Sequence, residues 1–152
     1  MEKLFDKINV GYGALAVALS AVFGSYWYLF AAFLLLNIAD YATGLFKARY
    51  TGAENSAKGA HGIIKKVGYW VVIAVAFFMA GFFKSLGETV GMDLTFTALF
   101  GYFTLATFII NEIRSVLENL VVLGVEVPDF LVKGLKVAQD KLQKVTGEDD
   151  RA

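Results

Sequence analysis

Uninterrupted apolar runs dominate this chain and leave it few ways to fold. Residues 10–39 form one almost unbroken apolar stretch, and residues 67–83 and 94–110 form two more. About 20 such residues cross the hydrocarbon of a bilayer as a helix. With no water in that layer, every backbone N–H and C=O must bond internally, so each run is expected to be a helix. The chain is 57% hydrophobic against about 45–50% for a soluble domain, which agrees with an all-α integral membrane protein.

The first run is too long for one ordinary span and short for two. It is either one long tilted helix or a tight hairpin turning at Gly24-Ser25, with Tyr26-Trp27-Tyr28 as an interfacial anchor. We take the hairpin as the working expectation, giving four spans at about 8–24, 26–46, 67–83 and 94–110. Residues 1–127 would then be the transmembrane domain and 128–152 a cytoplasmic tail. Lys3 and Lys7 are offset by Glu2 and Asp6, so the start lacks the basic region of a cleavable leader.

Orientation follows from charge. Residues 47–66 carry Lys47, Arg49, Lys58, Lys65 and Lys66 against Glu54, and are expected to be a cytoplasmic loop. Residues 84–93 hold one basic residue and suit the opposite side. The C-terminus then lies inside, whichever form the first run takes. Beyond Pro128, Leu131, Leu135, Ala138, Leu142 and Val145 recur at steps of four and three, the pattern of an amphipathic helix lying on the bilayer, on its own protein or on a second tail.

The composition removes several chemistries. Fourteen basic residues balance fourteen acidic ones, so nothing points to nucleic acid. Cysteine is absent and His61 is the one histidine, which excludes thiol chemistry and a multi-histidine metal site. Ser56, Gly59 and Gly62 before Lys65-Lys66 lack the spacing of a phosphate loop. They read instead as small residues that let a helix approach its neighbour. No catalytic set and no cofactor is expected.

The residue that stands out is Asp40. If its helix ends near Phe46, it lies about 9 Å inside the cytoplasmic boundary, too deep for so short a side chain to reach the surface. Lys65 and Lys66 open the next span, and Glu112 closes the last, at the same face. A polar cluster of Asp40 with Lys65 or Lys66 and Glu112 is therefore expected, either at a pore mouth or as an ion pair fixing helix packing. In the last span Thr97, Gly101, Thr104, Thr107, Asn111, Ser115 and Glu118 share one helical face. That stripe either packs against a helix or lines water in an assembly. Ala14 with Ala18, and Ser20 with Gly24, offer a second close-packing face, and both point to self-association.

Three blocks give these features a context. Asp40-Tyr41-x-Thr43-Gly44 ends an early apolar helix, and Ser56-x-x-Gly59-x-x-Gly62-x-x-Lys65-Lys66 follows it. The last is Asn111-Glu112-x-x-Ser115-x-x-Glu118-Asn119, continued by Gly124 and Pro128. In this order the chain resembles the bacteriophage holin family that includes the clostridial toxin-release holins. The resemblance implies a homo-oligomer in the bacterial cytoplasmic membrane, in contact with membrane lipids. It would open lesions in functional partnership with an endolysin or another released protein. A small oligomeric solute channel, and a membrane anchor for a soluble partner, remain the rival readings.

Overall fold

A computed structural model describes residues 26–146, together with separate positions between 10 and 20. From Trp27 to Thr146 four α-helices follow one another: α1 Trp27–Tyr50, α2 Ser56–Val90, α3 Ala98–Val122 and α4 Asp129–Thr146. A 3-10 turn, Thr95–Thr97, leads into α3, and the described residues include no strand. The first three helices are each long and apolar enough to cross a membrane. At 1.5 Å per residue, the 24 residues of α1 span about 36 Å and the 35 of α2 about 52 Å. Most of the span expected at 8–24, the hairpin turn at Gly24-Ser25 and one member of each small pair, Ala18 and Gly24, lie outside the described residues.

Residues 56–66 are helical rather than loop. Asn55 explains the early start: its Oδ1 accepts the N–H groups of Ala57 at 2.9 Å and Lys58 at 3.1 Å, capping two free donors. Nothing after it breaks the helix, because single glycines cost only about 1 kcal/mol each. The connection from α1 shrinks to a turn in which Gly52 adopts φ 64° and the Ala53 N–H bonds back to Ala48 O at 2.9 Å.

The three long helices run alternately up and down. α3 packs along both α1 and α2, whereas α1 and α2 touch each other sparsely. Their shared core is Phe30, Phe33, Ile73 and Leu105, ringed by Tyr69, Trp70, Phe77 and Phe108. Ring centroids of Phe33 and Trp70 lie 5.0 Å apart, and those of Tyr69 and Phe108 4.2 Å apart. In a bilayer such a core gains little from leaving water, and it is close packing that favours it. Gly101 is part of that fit: Phe77 lies so near that an added Cβ would be 2.8 Å from its ring. Below this aromatic layer the same helices turn polar.

Candidate functional site

Asn37, Asp40, Gly44 and Lys47 step by three, four and three along α1, so they share one face. Glu112, Ser115 and Asn119 do the same on α3. Both faces meet Lys66 of α2. Its Nζ donates to Asp40 Oδ2 at 2.8 Å and to Glu112 Oε2, so one ammonium joins carboxylates from two other helices. The Glu112 side chain is 4% exposed and those of Lys66 and Asp40 15% and 17%, so all three are largely withdrawn from solvent.

Asn119 extends the network. Its Nδ2 donates to Asp40 Oδ1 at 3.0 Å and reaches Thr43 Oγ1 at 3.2 Å, while its Oδ1 accepts Lys47 Nζ at 3.1 Å. Thr43 in turn donates to Ala39 O at 2.9 Å. Two carboxylates and one ammonium would leave a net negative charge, and Lys47 balances it through the Asn119 amide. Taking unpaired charges from water costs several kcal/mol per ion, so the mutual pairing is what allows the layer to exist at depth. Gly44 lies beside it, with Asn119 Nδ2 3.6 Å from where a Cβ would stand, an ordinary contact that a small side chain would not disturb. One turn above Asp40, buried Asn37 donates to Phe33 O at 2.8 Å, and its Oδ1 has no partner among the described residues.

Two grooves flank the layer. Between α1 and α2 lies a space of about 740 Å3 walled by Tyr41, Gly44, Ala48, Ser56, Gly59 and Gly62. Between α2 and α3 lies one of about 470 Å3 walled by Lys65, Asn111, Arg114, Ser115 and Glu118. Asp40, Gly62, Lys66 and Ser115 border both, so the ion cluster stands as a partition between them.

The expected site residues therefore divide. Lys66, not Lys65, meets Asp40; Lys65 instead holds its ammonium 5.7 Å from the Tyr69 ring centroid. Gly59 and Gly62 give no close helix approach, because an added Cβ at either would meet nothing within 4 Å; the helices diverge there. Within the stripe, Thr97 and Gly101 are buried packing positions, with the Thr97 hydroxyl donating to Leu94 O at 2.7 Å. Thr104 and Thr107 turn their hydroxyls onto Phe100 O and Phe103 O of their own helix, at 2.7 and 2.9 Å. Asn111, Ser115 and Glu118 open onto the α2–α3 groove, and Glu118 pairs with Arg114 at 2.8 Å. Gly124, at φ 85°, turns the chain after α3, and exposed Pro128 immediately precedes α4. Lys47 and Asn37 are polar members that the sequence reading left out; their signal was their spacing from Asp40. The described residues contain no group of three or more side chains placed to hold a metal ion.

A family model described as the bacteriophage holin family matches residues 17–140. The chain is 32% identical to an uncharacterised protein of Halalkalibacterium halodurans over 81% of this chain and 87% of that protein. An uncharacterised 14.9 kDa protein of Clostridium perfringens is 31% identical over 93% and 99% of the two chains. A protein of Bacillus phage phi105 described as a probable holin is 30% identical over 94% of this chain and 97% of its own. No solved structure matches.

Proposed function

The chain belongs to the bacteriophage holin family, and from that premise we propose that it assembles in the bacterial cytoplasmic membrane and opens it to an endolysin or another exported protein. In this reading residues 1–127 are a membrane domain of four spans, the first two a hairpin. Residues 128–152 are a cytoplasmic tail, with the N-terminus on the same side. The protein has no enzymatic role; its work is to change what the bilayer admits.

The observation that carries this reading is an asymmetry of surface. On α1, Ile38, Leu45 and Phe46 are exposed and apolar on either side of Asp40; on α2, Ile63, Ile64 and Val67 do the same beside Lys66. That surface suits lipid. At the same level the α2–α3 groove offers Lys65, Asn111, Arg114, Ser115 and Glu118. Polar groups at such depth are stable against water or against other protein, not against hydrocarbon. Copies that meet through this face keep it hidden; copies arranged with it inward give a wet lining. The paired layer of Asp40, Lys66 and Glu112 lets one protomer hold its charges internally until then.

The test is release of a folded cytosolic reporter enzyme after induced expression in a bacterium. Wild-type protein is expected to release it, whereas the double variant Asn111→Leu/Ser115→Leu inserts equally and retains it. Passage of small solutes without the reporter overturns the reading in favour of a solute channel. Loss of reporter release on deletion of 129–152 alone, with the groove intact, favours an anchor for a soluble partner.

A further inference from the structure

Helix α4 carries apolar surface that its own fold leaves uncovered. Leu135, Ala138 and Leu142 are half-buried, but Phe130, Val137 and Val145 are 71%, 54% and 62% exposed. With Gly134 and Lys141 they form one line along the helix, at steps of four, three, four and four. Lys133 and Lys144 border that line, and Lys136 follows on the polar side. Four lysines against Asp129 and Asp140 leave α4 at net +2 (4 − 2). The ion pair between Lys133 and Asp129, 3.7 Å long and largely open to solvent, does little to cancel this.

The position of α4 matters as much as its pattern. The exposed apolar surface of α1 runs to Phe46, beside Lys47 and Arg49, with Tyr50 one turn on, and α3 closes on exposed Val121 and Val122. Residues 123–128 are a short turn, reversed at Gly124, where the Val125 N–H bonds to Leu120 O at 3.0 Å. Thus α4 starts where the lipid-facing belt stops, at the depth of the headgroups. An apolar line bordered by lysines at that depth fits a helix lying in the interface, its amines on lipid phosphates.

We propose that α4 docks flat on an anionic lipid surface, the leaflet at which α3 ends, through Phe130, Val137 and Val145 with Lys133, Lys141 and Lys144 on the headgroups. This rests on the membrane reading of α1 to α3 and is independent of assembly. The absence of cysteine allows clean labelling. The full chain is reconstituted with a nitroxide at Val137→Cys, Lys136→Cys or, as a control for the span, Val75→Cys, in vesicles of phosphatidylglycerol with phosphatidylcholine or of phosphatidylcholine alone. In the anionic vesicles the label at 137 is expected to be several-fold more accessible to oxygen than to an aqueous nickel chelate, and the label at 136 the reverse. The difference at 137 is expected to fall away in phosphatidylcholine, and in the variant Lys133→Glu/Lys141→Glu/Lys144→Glu. Equal chelate access at 136 and 137 overturns the proposal. Shielding at 137 that persists in phosphatidylcholine overturns the anionic partner, and shielding from both probes replaces lipid by protein. If the label at 75 is open to the chelate, the membrane reading itself has failed.

Discussion

Lys66 Nζ stands 2.8 Å from Asp40 Oδ2 and also donates to Glu112, so a single ammonium ties α2 to both of its neighbours. Without it, two carboxylates face each other with little solvent between them.

Replacing Lys66 by Met is therefore expected to cost about 3–5 kcal/mol, the scale for stripping one partner from a buried ion pair. Thermal unfolding in detergent reads the loss. The triple variant Lys66→Met/Asp40→Asn/Glu112→Gln, which removes every charge of the bridge, is expected to recover most of it. A triple variant as unstable as Lys66→Met alone would refute the pairing as the cause.

Asn119→Leu breaks the bonds to Asp40 and Lys47 at once and leaves an ammonium unpaired. The expected destabilisation is about 1–3 kcal/mol, from polar groups left unsatisfied. In a double-mutant cycle with Lys47→Met the two losses are expected to overlap rather than add.

At Gly101 the test is steric. Ala there sets a Cβ 2.8 Å from the Phe77 ring, and about 1–3 kcal/mol of overpacking strain is expected. Phe77→Leu in the same chain is expected to relieve it. Strain that persists in the double variant argues that Gly101 meets something else.

A fourth expectation concerns pH. The Asp93 carboxylate accepts the Thr95 hydroxyl at 2.6 Å and the Thr95 N–H at 3.0 Å, and these bonds hold it below the ordinary aspartate value. A depressed folded value means its contribution is complete above the unfolded value, and is lost as pH falls through the folded one. The gap in melting temperature between wild type and Asp93→Ala is thus expected to stay constant near neutrality and to close in acid. A gap that widens in acid contradicts the assignment.

Much of this was legible in the sequence because charge is rare in apolar runs. Asp40, Lys66 and Glu112 each border one, and three such borders at one face imply a meeting. Lys47 was hidden for the opposite reason, since a lysine among polar residues looks like loop. Asn119 was visible only as part of a motif, yet it sits two turns from Glu112 on the same face. The helical start at Ser56 was masked by Gly59, Gly62 and their lysines, and the capping side chain of Asn55 was the cue that outweighed them. That α3 and not α2 is the central helix had no sequence signature. The close fit of Gly101 against Phe77, which seats α3 on α2, shows only once the helices are packed.

The span of the Asn119 contacts restricts how this molecule moves. Asp40, Thr43 and Lys47 occupy two turns of α1, and one amide on α3 holds all three. A piston step of one turn, about 5.4 Å, would break every one of these bonds together. Axial slippage between α1 and α3 is thereby locked, and the two behave as a single stave. α2 meets α1 sparsely and is bonded to it through Lys66 and Asp40, so it is the helix freer to swing outward.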